Sequence, residues 1–241
     1  MKCNKLLVII LTIIFIMVFF SCSYILLKDY SELKENDNSN ENLIIETIEI
    51  DEETQEKSID WDYLKSVNED IIGWIEIEGT KIIYPILQDN SNLYYLRHTY
   101  NKQYSSSGSI FTTNENPFID NETIIYGHNM KNGSMFSSLG KYLDRDYLYS
   151  HQNFKIYTPN GDYKAIIFGA YSIGFDTESN NIKSLGFDER IEYYRKASKH
   201  YIENVDTPVK IIKLSTCSYI NARTTPTDQR YYIIASIIPI K

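Results

Sequence analysis

A thiol, an imidazole and a guanidinium, each placed where a strand-like run meets a loop, are the groups in this sequence best suited to covalent chemistry. Cys217 ends the apolar run Val209 to Cys217, and a polar loop from Ser218 to Gln229 follows it. Of the three cysteines, Cys3 and Cys22 lie in or beside the N-terminal apolar segment, which leaves Cys217 as the one in the folded part. A side chain at a strand end is half-presented to solvent while its backbone is held. Position alone leaves two readings open, an inert thiol packed as a small hydrophobe and a reactive one. A reactive thiol needs a base, because free cysteine titrates at about 8.5 and is only slightly ionised near neutrality. It also needs a fixed cation or N–H groups to stabilise a developing oxyanion.

For the base, His128 stands in Tyr126-Gly127-His128-Asn129-Met130, just past the strand-like Thr123 to Tyr126. The other three histidines, His98, His151 and His200, have polar surroundings that read as solvated surface. For the cation there are two candidates. Arg230 opens the apolar run Arg230 to Ile238, which should neighbour the strand ending in Cys217, whereas Arg223 lies within the loop. A strand start positions a charge better than a loop does, which favours Arg230.

The elements that must position these groups are mostly short strands. Trp74 to Ile77, Ile82 to Leu87, Ser109 to Phe111, Thr123 to Tyr126, Asn153 to Thr158, Tyr163 to Tyr171, Val209 to Leu214 and Tyr231 to Ile238 all have strand character. Pro159-Asn160-Gly161 marks a hairpin, and Pro85 suggests an edge or a bulge in its strand. Asp60 is a plausible N-cap for a short helix reaching about Asn68. One longer helical pattern, from Asp188 to Asn204, precedes the Cys217 strand. Many strands and few helices predict a mainly β fold, a closed or nearly closed antiparallel barrel.

Residues 6–27 contain no charge, and such a helix spans about 33 Å, enough for a hydrocarbon core of roughly 30 Å. Lys2 and Lys5 precede it and acids dominate beyond it, so residues 1–5 are expected in the cytoplasm and the remainder outside the cell. Its length, with bulky Phe19 and Phe20 before Ser21-Cys22-Ser23, favours an uncleaved anchor over a cleaved signal peptide or a lipidated Cys22. Residues 28–57 are acidic and poor in aromatics and read as a solvated linker, with Ile44, Ile45, Ile48 and Ile50 able to form a short element. Residues 58–241 then form the extracellular domain.

Composition narrows the function classes. The net charge of -8 excludes a nucleic-acid phosphate binder. Three cysteines without a C-x-x-C pair exclude a disulfide scaffold and argue against zinc. No clustered acidic loop suggests calcium, so neither metal nor cofactor is expected. A composition of 43% hydrophobic and 23% charged residues is that of a globular protein.

Leu214-Ser215-Thr216-Cys217, the upstream Tyr126-Gly127-His128-Asn129-Met130 and an Arg opening the next strand together resemble a class B sortase. The likeness extends through residues 68–75, 79–86, 108–111 and 131–136, in order, and covers nearly everything from Ile59 onwards. The resemblance implies an eight-stranded sortase barrel with N-terminal helices and one long helix before the Cys-bearing strand. It implies an extracellular transpeptidase of Gram-positive cells, membrane-anchored and acting on sorting-motif peptides of surface proteins. Similar enzymes cut after Thr in Asn-Pro-x-Thr-like motifs, hold the acyl group as a thioester, and pass it to an amine of the peptidoglycan precursor. By motif, Cys217 is then the nucleophile, His128 the general acid and base, and Arg230 the substrate-orienting oxyanion stabiliser. Tyr126, Ser215, Thr216, Asn90 and Leu96 become candidates for the substrate groove. Strand alternation puts Ser215 on the face of Cys217.

Three other readings compete. A pilin-polymerising relative would carry an Asp-Pro-aromatic lid and a second span. This chain has no Asp-Pro dipeptide and ends Ile-Pro-Ile-Lys, which disfavours that reading. A cysteine peptidase would use the same three groups with water as acceptor. A non-catalytic surface-binding module would have no need of all three.

Overall fold

Alternation along the strands decides what the molecule buries. In the strand carrying the thiol, Ile212 and Leu214 face the principal core, while Ile211 joins a separate outer cluster with Tyr232 and Ile234. The structure, a computed structural model, describes residues 5–50, 57–90, 93–203, 208–219 and 227–240. The chain begins with α1 (Lys5–Thr47), a two-stranded ribbon of β1 (Ile48–Ile50) and β2 (Lys57–Ile59), and α2 (Trp61–Val67). Next come β3 (Ile71–Glu76), β4 (Ile83–Gln88), β5 (Ile110–Thr112) and β6 (Glu122–Tyr126). After α3 (Arg145–Ser150) follow β7 (Asn153–Tyr157), β8 (Asp162–Gly174), α4 (Phe175–Ile182), α5 (Phe187–Ala197) and β9 (His200–Tyr201). The chain ends with β10 (Ile211–Cys217) and β11 (Gln229–Ile240).

Eight strands run β11-β10-β6-β5-β4-β3-β7-β8, and β8 pairs back with β11 to close the barrel; β9 hangs on β8. The barrel is mixed rather than wholly antiparallel, because β4–β5 and β6–β10 are parallel pairs. Parallel neighbours require long crossovers, and these the chain supplies between Gln88 and Ile110 and between Tyr126 and Ile211. Pro85 is accommodated because it faces Trp74 of β3, while the pairing of β4 with β5 starts only at Ile86. The hairpin at Pro159-Asn160-Gly161 joins β7 to β8, with Gly161 at φ 134, a conformation open to glycine.

Two covers pack on the outside of the barrel. One buries Leu43 of α1, Leu64 of α2, Trp74, Leu87, Tyr95 and Phe111. The other buries Ile191 and Tyr194 of α5 against Phe168, Tyr171, Ile211 and Tyr232. Each such side chain contributes roughly 1.5–3 kcal/mol by leaving water. As expected, Asp60 caps α2, its carboxylate accepting from the Tyr63 N–H at 2.8 Å.

Three departures from the sequence expectations have physical causes. Residues 28–47 are helix, continuous with the apolar segment, rather than solvated linker. The buried stripe is Asn36, Asn40, Leu43 and Thr47, and its docking is largely polar. Asn36 donates to Ser107 at 2.6 Å, Ser39 bonds Tyr100 at 2.6 Å, and the Ser106 N–H donates to Glu32 at 2.9 Å. Hydrophobic periodicity cannot reveal such a face. The helix before β10 ends at Ala197, because Lys199 N–H donates to Ala170 at 2.9 Å and residues 200–201 pair with β8. Finally α4 was not anticipated, since Phe175 to Ile182 lacks an apolar stripe.

Leu43 is 2% exposed, so Leu43→Ala should lower stability by about 2–4 kcal/mol through the cavity it leaves. Calorimetry checks this; an unchanged melting temperature would show that the end of α1 is not part of the cooperative unit.

Candidate active site

Two strand pairings assemble the three groups singled out above. In the antiparallel pair of β10 with β11, Cys217 lies directly opposite Arg230. Directly opposed residues share a face, with Cβ atoms about 4.5–5.5 Å apart. In the parallel pair of β10 with β6, Ser215 matches Tyr126, and Gly127 N–H extends the ladder to Ser215 O at 3.1 Å. His128 lies two residues past Tyr126, as Cys217 lies two residues past Ser215. The tie is closed by Asn129, whose side-chain amide donates to the Cys217 carbonyl at 2.8 Å. Ser218 N–H donates to Gln229 O at 2.8 Å and holds the other side of the cysteine.

Cys217 is a free, half-buried thiol. His128 is half-buried too, and its Nε2 lies 2.8 Å from the Leu96 carbonyl. A carbonyl only accepts, so Nε2 carries the hydrogen and Nδ1 is left as the proton acceptor. Burial, and then the positive charges of Arg97 and Arg230, hold the imidazole below its ordinary value, against the opposing effect of the Leu96 carbonyl. The ring is thus held toward its neutral form, with Nδ1 as its free acceptor. Arg230 is fixed by Nη1 bonds to the Thr227 and Gln229 carbonyls at 2.8 and 2.9 Å.

Close backbone approaches hold these partners. A Cβ on Gly108, which has φ 55, would sit 2.6 Å from the Leu96 carbonyl oxygen that orients His128. A Cβ on Gly127 would sit 2.4 Å from Ile110 Cδ1 and 2.8 Å from Phe136 Cδ2. Neither position leaves room for a side chain.

The remaining sequence candidates are distributed unevenly. Tyr126 and Ser215 share the outer face with Cys217; Tyr126 is half-buried, and Ser215, flanked by Tyr126 and Tyr232, is buried. Thr216 alternates to the opposite face and is buried, opposite Tyr231. Leu96 is at the site through its carbonyl. Asn90 is exposed beyond β4, and no bond among the described residues joins it to Cys217 or His128. Arg223 lies outside the described residues. Asn129 stands in the motif around His128, but its type and position there assign it no role; the bond to Cys217 does. Among the described residues no cluster of three or more His, Cys, Asp or Glu side chains could hold a metal ion.

Cys217 and Arg230 lie in a strip of outer barrel face at whose edge Tyr126 packs against the first cover. A thiol, a neutral imidazole with a free Nδ1 and a guanidinium can together carry out nucleophilic acyl transfer.

Comparison with known proteins places the chain. A family model described as the sortase domain matches residues 75–238. Sortase B of Listeria monocytogenes is 42% identical over 161 residues, 64% of this chain and 65% of that protein, just under two thirds of its length. Sortase B of Staphylococcus aureus is 31% identical over 186 residues, 73% of this chain and 74% of that one. The chain belongs to the sortase family. Within it the similarities are to class B. A solved Staphylococcus aureus sortase B–substrate complex superposes with TM-score 0.70 at 26% identity, covering 88% of this chain and all of that one. The eight-stranded barrel expected for a class B sortase is thus the fold observed.

NMR titration of the His128 ring should give a midpoint below 6.5, and Arg97→Gln should raise it. A midpoint at or above 6.5 in the unmodified chain would contradict the burial described. The sign for stability follows: the unfolded chain binds the proton more readily, so this group's contribution falls as pH drops from 6.5 through the folded midpoint. Gly127→Ala should cost about 1–3 kcal/mol by overpacking, measurable by denaturant unfolding.

Proposed function

We propose that this sortase is a membrane-anchored cysteine transpeptidase acting outside the cell, with residues 6–27 as its anchor, residues 1–5 in the cytoplasm and the barrel as its catalytic domain. Its substrate is a C-terminal sorting motif of secreted surface proteins, Asn-Pro-x-Thr-like, cut after Thr. As His128 Nδ1 takes the Cys217 thiol proton, the sulfur attacks the threonine carbonyl carbon, and Arg230 stabilises the resulting oxyanion. The C–N bond then breaks as His128 Nδ1 delivers a proton to the leaving amine, and a thioester remains. An amine of the cell-wall precursor attacks the thioester, His128 takes its proton, and the sulfur leaves.

The observation that supports this reading is the strand register that sets Cys217 opposite Arg230 and pairs Ser215 with Tyr126, each two residues before Cys217 and His128. The neighbouring Tyr126 and Ser215 contribute to the substrate groove, with Leu96 and Asn90 as further groove candidates; Thr216, buried on the opposite face, does not. Support for a peptide substrate also comes from the similar Staphylococcus aureus enzyme, solved as a substrate complex. That the apolar part of α1 is exposed and long enough to cross a bilayer supports the anchor.

Incubation with a sorting-peptide library should yield cleavage after Thr, a mass-spectrometric adduct of the N-terminal fragment on Cys217, and faster release on addition of an amine. Cys217→Ala should abolish turnover without loss of fold. Arg230→Ala should lower kcat/KM by about 10²–10³, far more than Arg223→Ala. Amine-independent release would instead identify a peptidase.

A further inference from the structure

A buried ion pair outside the reacting groups is not explained by the chemistry above. Glu178 is the only buried side chain of α4. A surface helix ordinarily seats itself through an apolar stripe, yet this one inserts a carboxylate, 2% exposed, against Lys213 of β10, 1% exposed. Lys213 Nζ lies 2.6 Å from Glu178 Oε1. The Tyr171 hydroxyl donates to the same oxygen at 2.5 Å, and the Tyr193 hydroxyl donates to Oε2 at 2.8 Å. The ammonium also sits 4.7 Å from the Tyr194 ring centroid and 4.5 Å from that of Tyr232. Both carboxylate oxygens that α4 brings into this interface are therefore matched by groups on β8, β10 and α5. Removing one partner strands the other in a dry site, a heavy penalty, whereas replacing both by apolar groups is often tolerated.

The far end of α4 reaches the catalytic strip. Phe175 N–H donates to the Asp228 carbonyl at 2.9 Å. Its half-exposed ring centroid lies 6.0 Å from the Arg230 guanidinium carbon. Lys213 stands on the same face of the same strand as Cys217, two alternations earlier. The pair thus ties α4 directly to the strand that carries the thiol.

We propose that the buried Lys213–Glu178 pair latches α4 onto the barrel and so positions Phe175 as a wall of the peptide groove beside Arg230. The groove rests on the function proposed above; the latch does not. Lys213 and Glu178 are positioning residues. They touch no reacting atom, so their loss weakens peptide binding more than it slows chemistry.

The test is hydrogen exchange read by mass spectrometry on the full chain in detergent, paired with sorting-peptide kinetics. Glu178→Gln keeps the shape and strands the ammonium. It should speed exchange of the 175–182 amides by at least about tenfold while β3 and β4 are unchanged. KM should rise about tenfold, with kcat within about threefold. The double variant Lys213→Met with Glu178→Leu should restore both readouts toward the unmodified chain. Unchanged α4 exchange in Glu178→Gln, uniform loosening of the whole barrel, or a double variant as loose as the single would each overturn the latch. Phe175→Ala leaves the pair intact and covers the case in which Glu178→Gln does not fold. KM should rise with α4 protection kept, and a KM equal to that of the unmodified chain would overturn the wall. If the unmodified chain turned over no sorting peptide, the functional reading would fail while the exchange data still decided the latch.

Discussion

The parallel pairing of β6 with β10 is the constraint on which the site depends. It is a non-local contact, made only after the chain has built α3, β7, β8, α4 and α5 between the two strands. The adjacent antiparallel pairing with β11 supplies the guanidinium. Neither the thiol nor the imidazole is placed by its own loop. Cys217 ends β10 and His128 follows β6, strands whose backbone hydrogen bonds fix their register, and a slip by one would turn every side chain of the slipped strand to the other face. The Asn129 bond to the Cys217 carbonyl then couples the loop that leaves β6 to the end of β10.

Around that register the molecule divides its labour by face. Inward residues such as Ile125, Leu214 and Ile233 form a core with essentially no exposure. Outward residues would be solvated were it not for two covers, and the strip between those covers is where chemistry becomes accessible. Partial cover also sets electrostatics. His128 is buried enough, and near enough to Arg97 and Arg230, to stay neutral, while the Leu96 carbonyl selects which nitrogen is free. A backbone carbonyl thus does the orienting that a carboxylate does in many triads.

Legibility in the sequence followed the kind of force involved. Strands with apolar alternation, the Asp60 cap and the hairpin at Gly161 were readable because local chemistry specifies them. Cys217, His128 and Arg230 could be singled out by type and by position at strand ends. Their convergence could not, since it depends on which strands pair. The docked half of α1 and all of α4 escaped notice for a common reason. They are held by polar groups, the buried Asn36 and Glu178 and the half-buried Ser39, that any reading based on hydrophobic period assigns to solvent. The mixed direction of the barrel was hidden likewise, because a long crossover reads the same whether the strands it joins are parallel or antiparallel.

Adjacency of the thiol and the imidazole is the central claim, and Cys217 reactivity measures it most directly. Alkylation by iodoacetamide, followed peptide by peptide so that Cys217 is separated from Cys3 and Cys22, should be recorded against pH for the unmodified chain and for His128→Gln. The register predicts an inflection in the Cys217 rate below 6.5 that disappears in the variant. Superimposable profiles would mean that the imidazole does not sense the sulfur, contradicting the site built here.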